Sequence, residues 1–216
     1  MATTPEEKRA AFHALHAQGC FVIPNPWDVG SAKFLQGLGF KALATTSSGF
    51  AWSHGHRDGG MSRDRVLDHL TEMVEATDLP INADFEHGFS PDAAGVADSV
   101  RLAVETGVAG LSIEDSTGDA AKPLFDFDIA VDRMRAARKA IDKAGSDTML
   151  IGFNADLNMP QIAALGVRRV SVGGALARAA WGGFMRASKL IIEQGKFDGF
   201  SDAASGSALN TVFRGN

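Results

Sequence analysis

One cysteine, Cys20, stands in 216 residues, so no internal disulfide can form, which fits a reducing cytoplasm. Lysine and arginine never gather into a run, and a net charge of -5 offers no basic face for phosphate contacts, which excludes nucleic acid as the expected partner. No segment has the unbroken apolar length of a membrane span. The opening "MATTPEEKRAAFHALHAQG" lacks the basic region and apolar block of a signal peptide and reads as a capped amphipathic helix with Glu6 and Glu7 in its first turn. A glycine-rich phosphate fingerprint is missing too: "GFAWSHGHRDGG" has neither the dinucleotide nor the P-loop spacing. His54, His56 and His87 come without a His-x-x-x-His pair, which leaves zinc unsupported. What is there is ordinary: 45% hydrophobic and 22% charged residues describe one globular domain over residues 1–216, with a small molecule as the expected partner.

Apolar, β-branched runs alternate with helical patterns along the chain. "CFVIPNPWD", "KALATTSS", "LPINADF", "VAGLSIED", "TMLIGFN" and "RRVSVGG" read as strands. Between them lie "VGSAKFLQGLG", "SRDRVLDHLTEMVEAT" with Ser62 as N-cap, a helix opened by Ser90 and Pro91, and the short "MPQIAALG". The helix after the fourth strand carries Ala130, Met134, Ala137 and Ile141 as one buried stripe. "ALARAAWGGFMRASKLIIEQG" follows the last strand, and the tail beyond it scatters Phe197, Phe200, Leu209, Val212 and Phe213 among polar residues. Those side chains need a surface to cover.

Repeated βα units give a closed barrel or an open doubly wound sheet. Here polar residues collect after four consecutive strands: Asn25 and Asp28, Ser47 and Ser48, Asp84 and Glu86, Glu114 and Asp115. Four strands feeding one rim is the arrangement of a barrel active site. In "PINADFEHGF", Asp84 and Glu86 stand two apart, so on a strand both acids point at the same volume. Two anions so close are tolerated when a cation sits between them or one carries a proton.

"NPWDVGSA", "TTSSGFAWSHGHRDGG", "PINADFEHGFSPDAAGVADSVRLAVETGVAGLSIEDSTG" and "ALGVRRVSVGGALARAA" resemble the isocitrate lyase and phosphoenolpyruvate mutase superfamily over most of the chain. The resemblance implies a (β/α)8 barrel of the TIM type, Mg2+ or Mn2+ as cofactor, and a C–C or P–C bond made or broken beside a 2-oxo acid carboxylate through an enolate. It places Asp84, Glu86 and Glu114 around the metal and Asp58 on the loop that closes over the site as the catalytic residue. Ser47, Ser48 and Gly49 would hold the substrate carboxylate, with Trp27 and Asp28 flooring the pocket. Magnesium keeps several waters, so one or two protein carboxylates backed by further acids suffice. The substrate expected is a 2-oxo acid or phosphonate of the oxaloacetate or phosphonopyruvate kind. The resemblance also implies a homodimer or homotetramer, built with the helix and arm from about residue 184 to residue 216.

Three departures from the family pattern carry expectations of their own. The catalytic-cysteine loop of isocitrate-type lyases is replaced by "STGDAAKPLFDFD", which disfavours isocitrate and methylisocitrate cleavage. Asn82 stands where many members carry another aspartate, which lowers the site's negative charge and would weaken the metal's hold. Only six strands can be counted, about two βα units short of a barrel that usually takes ~250 residues, and the arginine that ends the family's fifth strand is absent from "TMLIGFN". The expectation drawn from this is a segment lost between Gly145 and Gly152, visible as a jump in the chain. A second reading is a family remnant that binds a small carboxylate or serves as an assembly subunit without turnover.

Overall fold

The computed structural model describes residues 3–119, 121–151 and 169–213. Helix α1 (Pro5–Ala17) opens on a capping box in which Thr4 N–H donates to Glu7 Oε2 at 2.8 Å and Thr4 Oγ1 accepts from Glu7 N–H, with Pro5 at the first helical position. Strand β1 (Phe21–Ile23) leads into α2 (Val29–Gly37), and β2 (Leu43–Ala44) into the short α3 (Ser47–Ser53) and then α4 (Arg63–Ala76), which Ser62 caps as expected. Next come β3 (Ile81–Asp84), α5 (Ala93–Glu105), β4 (Gly110–Ser112), α6 (Phe127–Lys143) and β5 (Met149–Ile151). The chain closes with β6 (Arg169–Ser171), α7 (Ala175–Gln194) and α8 (Gly206–Val212).

All strand pairs are parallel. One ladder runs β2-β3-β4-β5 and another joins β1 to β6; Ala44 N–H donating to Pro24 O at 3.0 Å links the two. The resulting order is β6-β1-β2-β3-β4-β5, an arc of barrel type with helices outside it. Asn25 holds the seam: its Nδ2 donates to Thr45 O at 2.8 Å, while its Oδ1 accepts from Val172 N–H at 3.0 Å. One buried amide thus ties the ends of β1, β2 and β6. Among the described residues no ladder joins β5 to β6.

The jump expected after Gly145 is not found over the described part of that stretch. Gly145 N–H donates to Asp142 O, Ser146 N–H to Ile141 O, and Ser146 Oγ lies 2.8 Å from Thr148 Oγ1, contacts that require consecutive residues. Met149 N–H then donates to Ala109 O at 3.1 Å and β5 pairs with β4. The rest of "TMLIGFN" and the helix expected at "MPQIAALG" lie outside the described residues. Two boundaries also differ from the sequence reading. Helix α5 is capped by Asp92, whose side chain accepts from Gly95 N–H at 2.8 Å, because Ser90 is engaged with Asp92 N–H instead. "TTSS", read as a strand end, turns helical after Ala44, with Thr46 as N-cap of α3.

The main core packs Leu43, Ile81, Ala83 and Leu111 of the strands against Leu35, Leu70, Met73, Val96, Val100 and Ile141 of the helices. A second cluster closes the other end of the strands. There Phe12 of α1, fully buried, meets Ile23, Ala42, Ala44 and Ala109. Burial of a Phe at such a site is worth about 3–5 kcal/mol by truncation. A methyl group at Gly110 would lie 2.6 Å from Phe12 Cε1 and 2.5 Å from Asn82 Oδ1, so only glycine lets α1 approach this closely. Lys8 fastens the helix, its buried amine donating to Val74 O and Thr77 O at 2.7 Å each, carbonyls at the end of α4.

Candidate active site

The strand C-termini open onto a cleft of about 690 Å³. Of the polar residues singled out from sequence, Asn25, Ser47, Ser48, Asp58, Asn82, Asp84, Glu114 and Asp115 line it. Asp84 ends β3 with its carboxylate already committed on one side: Oδ2 accepts from Ser47 N–H at 2.9 Å and from Ser47 Oγ at 3.0 Å. Burial pushes its pKa up, the Ser47 donors oppose that, and the charge of Asp58 adds to it. Glu114 is also raised, first by partial desolvation and then by Asp84, Asp58 and Asp115.

Glu86 does not line the cleft beside Asp84, contrary to the alternation expected of a strand. The strand stops at Asp84, and Glu86 takes a left-handed backbone with φ 47°, rare for a residue with a side chain, which swings its carboxyl out of register. It becomes nearly enclosed instead, near Gly59 on the loop that carries Asp58. Burial first, then the charges of Asp84, Asp58 and Glu114, lift its pKa to about 7. Phe89, with φ 57°, is the second left-handed residue of this loop. Such strain persists where the surroundings impose it. Here Glu114 N–H donates to Glu86 O at 2.8 Å from one side, and Arg133 donates to His87 O and Ser90 O from the other.

The remaining expected site residues sit elsewhere. Asp28 is exposed and caps α2, accepting from Ser31 N–H at 2.7 Å, and it is not among the residues that line the cleft. Trp27 and Gly49 pack on each other behind the cleft: a methyl at Gly49 would lie 2.9 Å from Trp27 Cβ. Gly49 N–H is taken by Thr46 Oγ1, and both Ser47 donors go to Asp84. Of the three residues expected to hold a carboxylate, only Ser48 keeps a side chain facing the cleft and not engaged with Asp84; its hydroxyl sits 3.1 Å from Thr46 Oγ1.

Two arginines of the cleft wall, Arg133 and Arg169, went unread in the sequence. Arg133 lies three residues after Ala130 on the buried stripe of α6 and is itself 2% exposed. A charged residue on an apolar face was the available signal. Its guanidinium covers the Phe125 ring at 4.0 Å.

A family model described as phosphoenolpyruvate phosphomutase matches residues 12–152, which contain β1 to β5, the acids and both left-handed loop residues. The chain belongs to that family. Its fold is the barrel type of the phosphoenolpyruvate mutase and isocitrate lyase superfamily, shorter than full-length members. A Burkholderia cenocepacia J2315 structure described as a lyase/mutase is 36% identical, with a TM-score of 0.87 over 97% of each chain. The solved 2,3-dimethylmalate lyase, 20% identical, shares the fold at a TM-score of 0.79 over 99% of this chain and 95% of its own. Among curated relatives, the uncharacterized protein Rv1998c of Mycobacterium tuberculosis is 35% identical over 60% of this chain and 48% of its own length. The 2-methylisocitrate lyase of Escherichia coli K12 is 31% identical over 57% and 45%. This family member thus spans about half the length of the curated relatives it matches.

Proposed function

We propose that the chain is a Mg2+- or Mn2+-dependent lyase or phosphonomutase-type enzyme. It would act on the C–C or P–C bond beside the carboxylate of a 2-oxo acid such as an oxaloacetate or phosphonopyruvate, through an enolate. One observation carries this reading: Asp84, Glu86 and Glu114 all have raised pKa values, by burial first and then by the charges of neighbouring acids, Asp58 among them, and among the described residues none of the four has a lysine or arginine in an ion pair. Four mutually repelling acids in a concave site call for an external cation.

The donor set fits a hard cation that keeps most of its water. Among the described residues no three His, Cys, Asp or Glu side chains are placed to ligate one ion together. Magnesium needs only one or two carboxylates. Asp84, lining the cleft with Oδ2 fixed by Ser47, is the first candidate ligand, with Glu114 and Glu86 beyond it. When bound, the ion supplies Lewis-acid polarisation of an oxygen in the substrate.

The chain's own groups do the rest. Ser47 keeps Asp84 oriented and opposes the burial that favours its acid form. Glu86, with a pKa near 7, can hold or give up a proton at its carboxyl oxygen at neutral pH, the range in which a general acid or base is most useful. Asp58, exposed on the loop between α3 and α4, is the acid free to approach a reacting group. Ser48 offers a hydroxyl to the substrate from the cleft lining. Isocitrate and methylisocitrate cleavage stays disfavoured, because the β4–α6 connection, closed on itself by the Ser116–Leu124 bridge, carries no cysteine.

The test is a screen of 2-oxo acids and phosphonates with and without Mg2+, reading release of pyruvate or another 2-oxo acid. Metal-dependent turnover that disappears in Asp84→Ala, with Mg2+ binding lost and the fold kept, is expected. Binding of carboxylates without turnover would favour the family remnant, a reading supported by the missing cysteine. Unchanged Mg2+ affinity in Asp84→Ala would remove the site assignment.

A further inference from the structure

Arg133, buried, and Arg169, half-buried, are both arginines of the cleft wall, and they differ in one further respect. Arg133 spends its guanidinium on His87 O and Ser90 O. Arg169, among the described residues, makes no ion pair, and its Nη1 is closed off from solvent with no hydrogen-bond acceptor. Buried charges are ordinarily paired, and a guanidinium offers five donors that cannot be shed by deprotonation.

The backbone shows why it faces the cleft. Arg169 and Ser171 stand two apart on β6, paired with Phe21 and Ile23 of β1, so they share a face, and both line the cleft. Ser171 Oγ donates to Asn25 Oδ1 at 3.3 Å, which fixes the strand end next to it. In the arc β6-β1-β2-β3, the strand of Arg169 lies three places from that of Asp84, about 14 Å along the sheet at the usual strand spacing. The cleft therefore has an acidic side and a cationic side.

We propose that Arg169 is an oxyanion subsite, receiving a carboxylate or phosphonate group of the cleft's ligand at the end away from the acids. The substrate class narrows accordingly to molecules with two anionic ends, one directed to the metal side and one to β6. This rests on reading the cleft as a substrate site. Desolvation lowers the Arg169 pKa to about 10, which leaves the group cationic at neutral pH, and among the described residues no carboxylate raises it. Its charge is felt by His16, whose pKa is lowered by burial and further by Arg169.

His16 supplies a local reporter. Metal-free protein is titrated with succinate and, separately, with inorganic phosphate, by calorimetry and by NMR of the His16 ring. Saturable binding that raises the His16 midpoint, because Arg169 is being neutralised, is the expected result, and the better-bound probe identifies the headgroup. In Arg169→Gln the affinity should fall about tenfold or more, while Arg169→Lys, a point charge without the fork, keeps part of it. If Arg169→Gln fails to fold, Arg169→Lys together with the His16 shift decides the matter. Equal affinity in wild type and Arg169→Gln, binding that leaves His16 unmoved, or no binding of either probe at tens of millimolar overturns the subsite. Mg2+ affinity, measured alone, should be the same in Arg169→Gln as in wild type. Absence of Mg2+ binding in wild type would refute the metal-dependent function and leave the metal-free anion titration standing.

Discussion

Ser47 grips Asp84 with two donors at once, its N–H at 2.9 Å and its hydroxyl at 3.0 Å on the same oxygen, Oδ2. Strand β2 and the first turn of α3 thereby orient an acid delivered by β3. Hydrogen bonds to an ionised group are worth about 1.5–3 kcal/mol. Ser47→Ala keeps the N–H and loses the hydroxyl, so the Asp84 pKa should rise further and Mg2+ binding should weaken about tenfold at neutral pH. Calorimetric titration of the variant checks this, and an unchanged affinity would place the ion elsewhere.

Glu86 sets a pH window for the metal. A carboxyl with a pKa of about 7 must lose its proton before it can support a cation, so Mg2+ affinity should climb from about pH 6 to about pH 8. In Glu86→Gln that climb should flatten. The same raised pKa means the metal-free fold loses stability as pH rises from the ordinary value of 4.5 through about 7, and Glu86→Gln should remove that loss. Thermal melts at both ends of the range give the comparison.

His69 works in the opposite sense. It lies 5% exposed on α4, stacked on Phe50 at 3.9 Å and 11°, with Nε2 unpartnered among the described residues. Burial first, then the nearby His54, depresses its pKa to about 4 from 6.5. A neutral histidine is favoured in the fold, so its contribution is complete above pH 6.5 and is lost as pH falls towards about 4, at most ~3 kcal/mol. His69→Phe should keep the stack and flatten that acid limb in urea unfolding measured across the window.

Arg133 fixes the loop that carries Glu86. Arg133→Met leaves His87 O and Ser90 O without donors and should cost about 2–3 kcal/mol. Amide exchange over residues 86–91 should accelerate more than exchange in β3. Arg133→Lys restores the charge without the two-pronged geometry and should recover only part of the protection. Uniform acceleration across the protein would instead mark a general packing defect.

A homo-oligomer is proposed from the surface of α7 and the tail. Ile192 is 83% exposed, Phe197 71% and Phe184 63%, a large apolar area for a free surface. Sedimentation at micromolar concentration should show a dimer or tetramer, and Phe184→Glu with Ile192→Lys should shift it to a smaller species. A wild-type monomer would contradict the proposal.

The rim was legible in the sequence because its residues follow strand ends, where βα alternation places them without knowledge of packing. Asp84, Glu114 and Ser48 were found that way. Glu86 was found too, but its direction was not, since a left-handed residue one step beyond a strand breaks the two-residue period and leaves no mark in composition. Asp28 and Gly49 fall outside the cleft lining for a related reason: "PWDVGS" and "TTSSG" are helix starts, and a capping residue and a substrate ligand have the same chemistry. The order of the strands round the arc could not be read, because strand counting says how many strands exist and not which edges meet.

Gly110 deserves a last consideration as a wall. Asn82 belongs to the cleft and Phe12 to the helix that seals the far end of the strands, and the side chain between them is a single hydrogen atom. The cleft and the plug beneath it are therefore one atomic layer apart, so a slip of α1 by a fraction of an ångström is a change in the shape of the cleft floor.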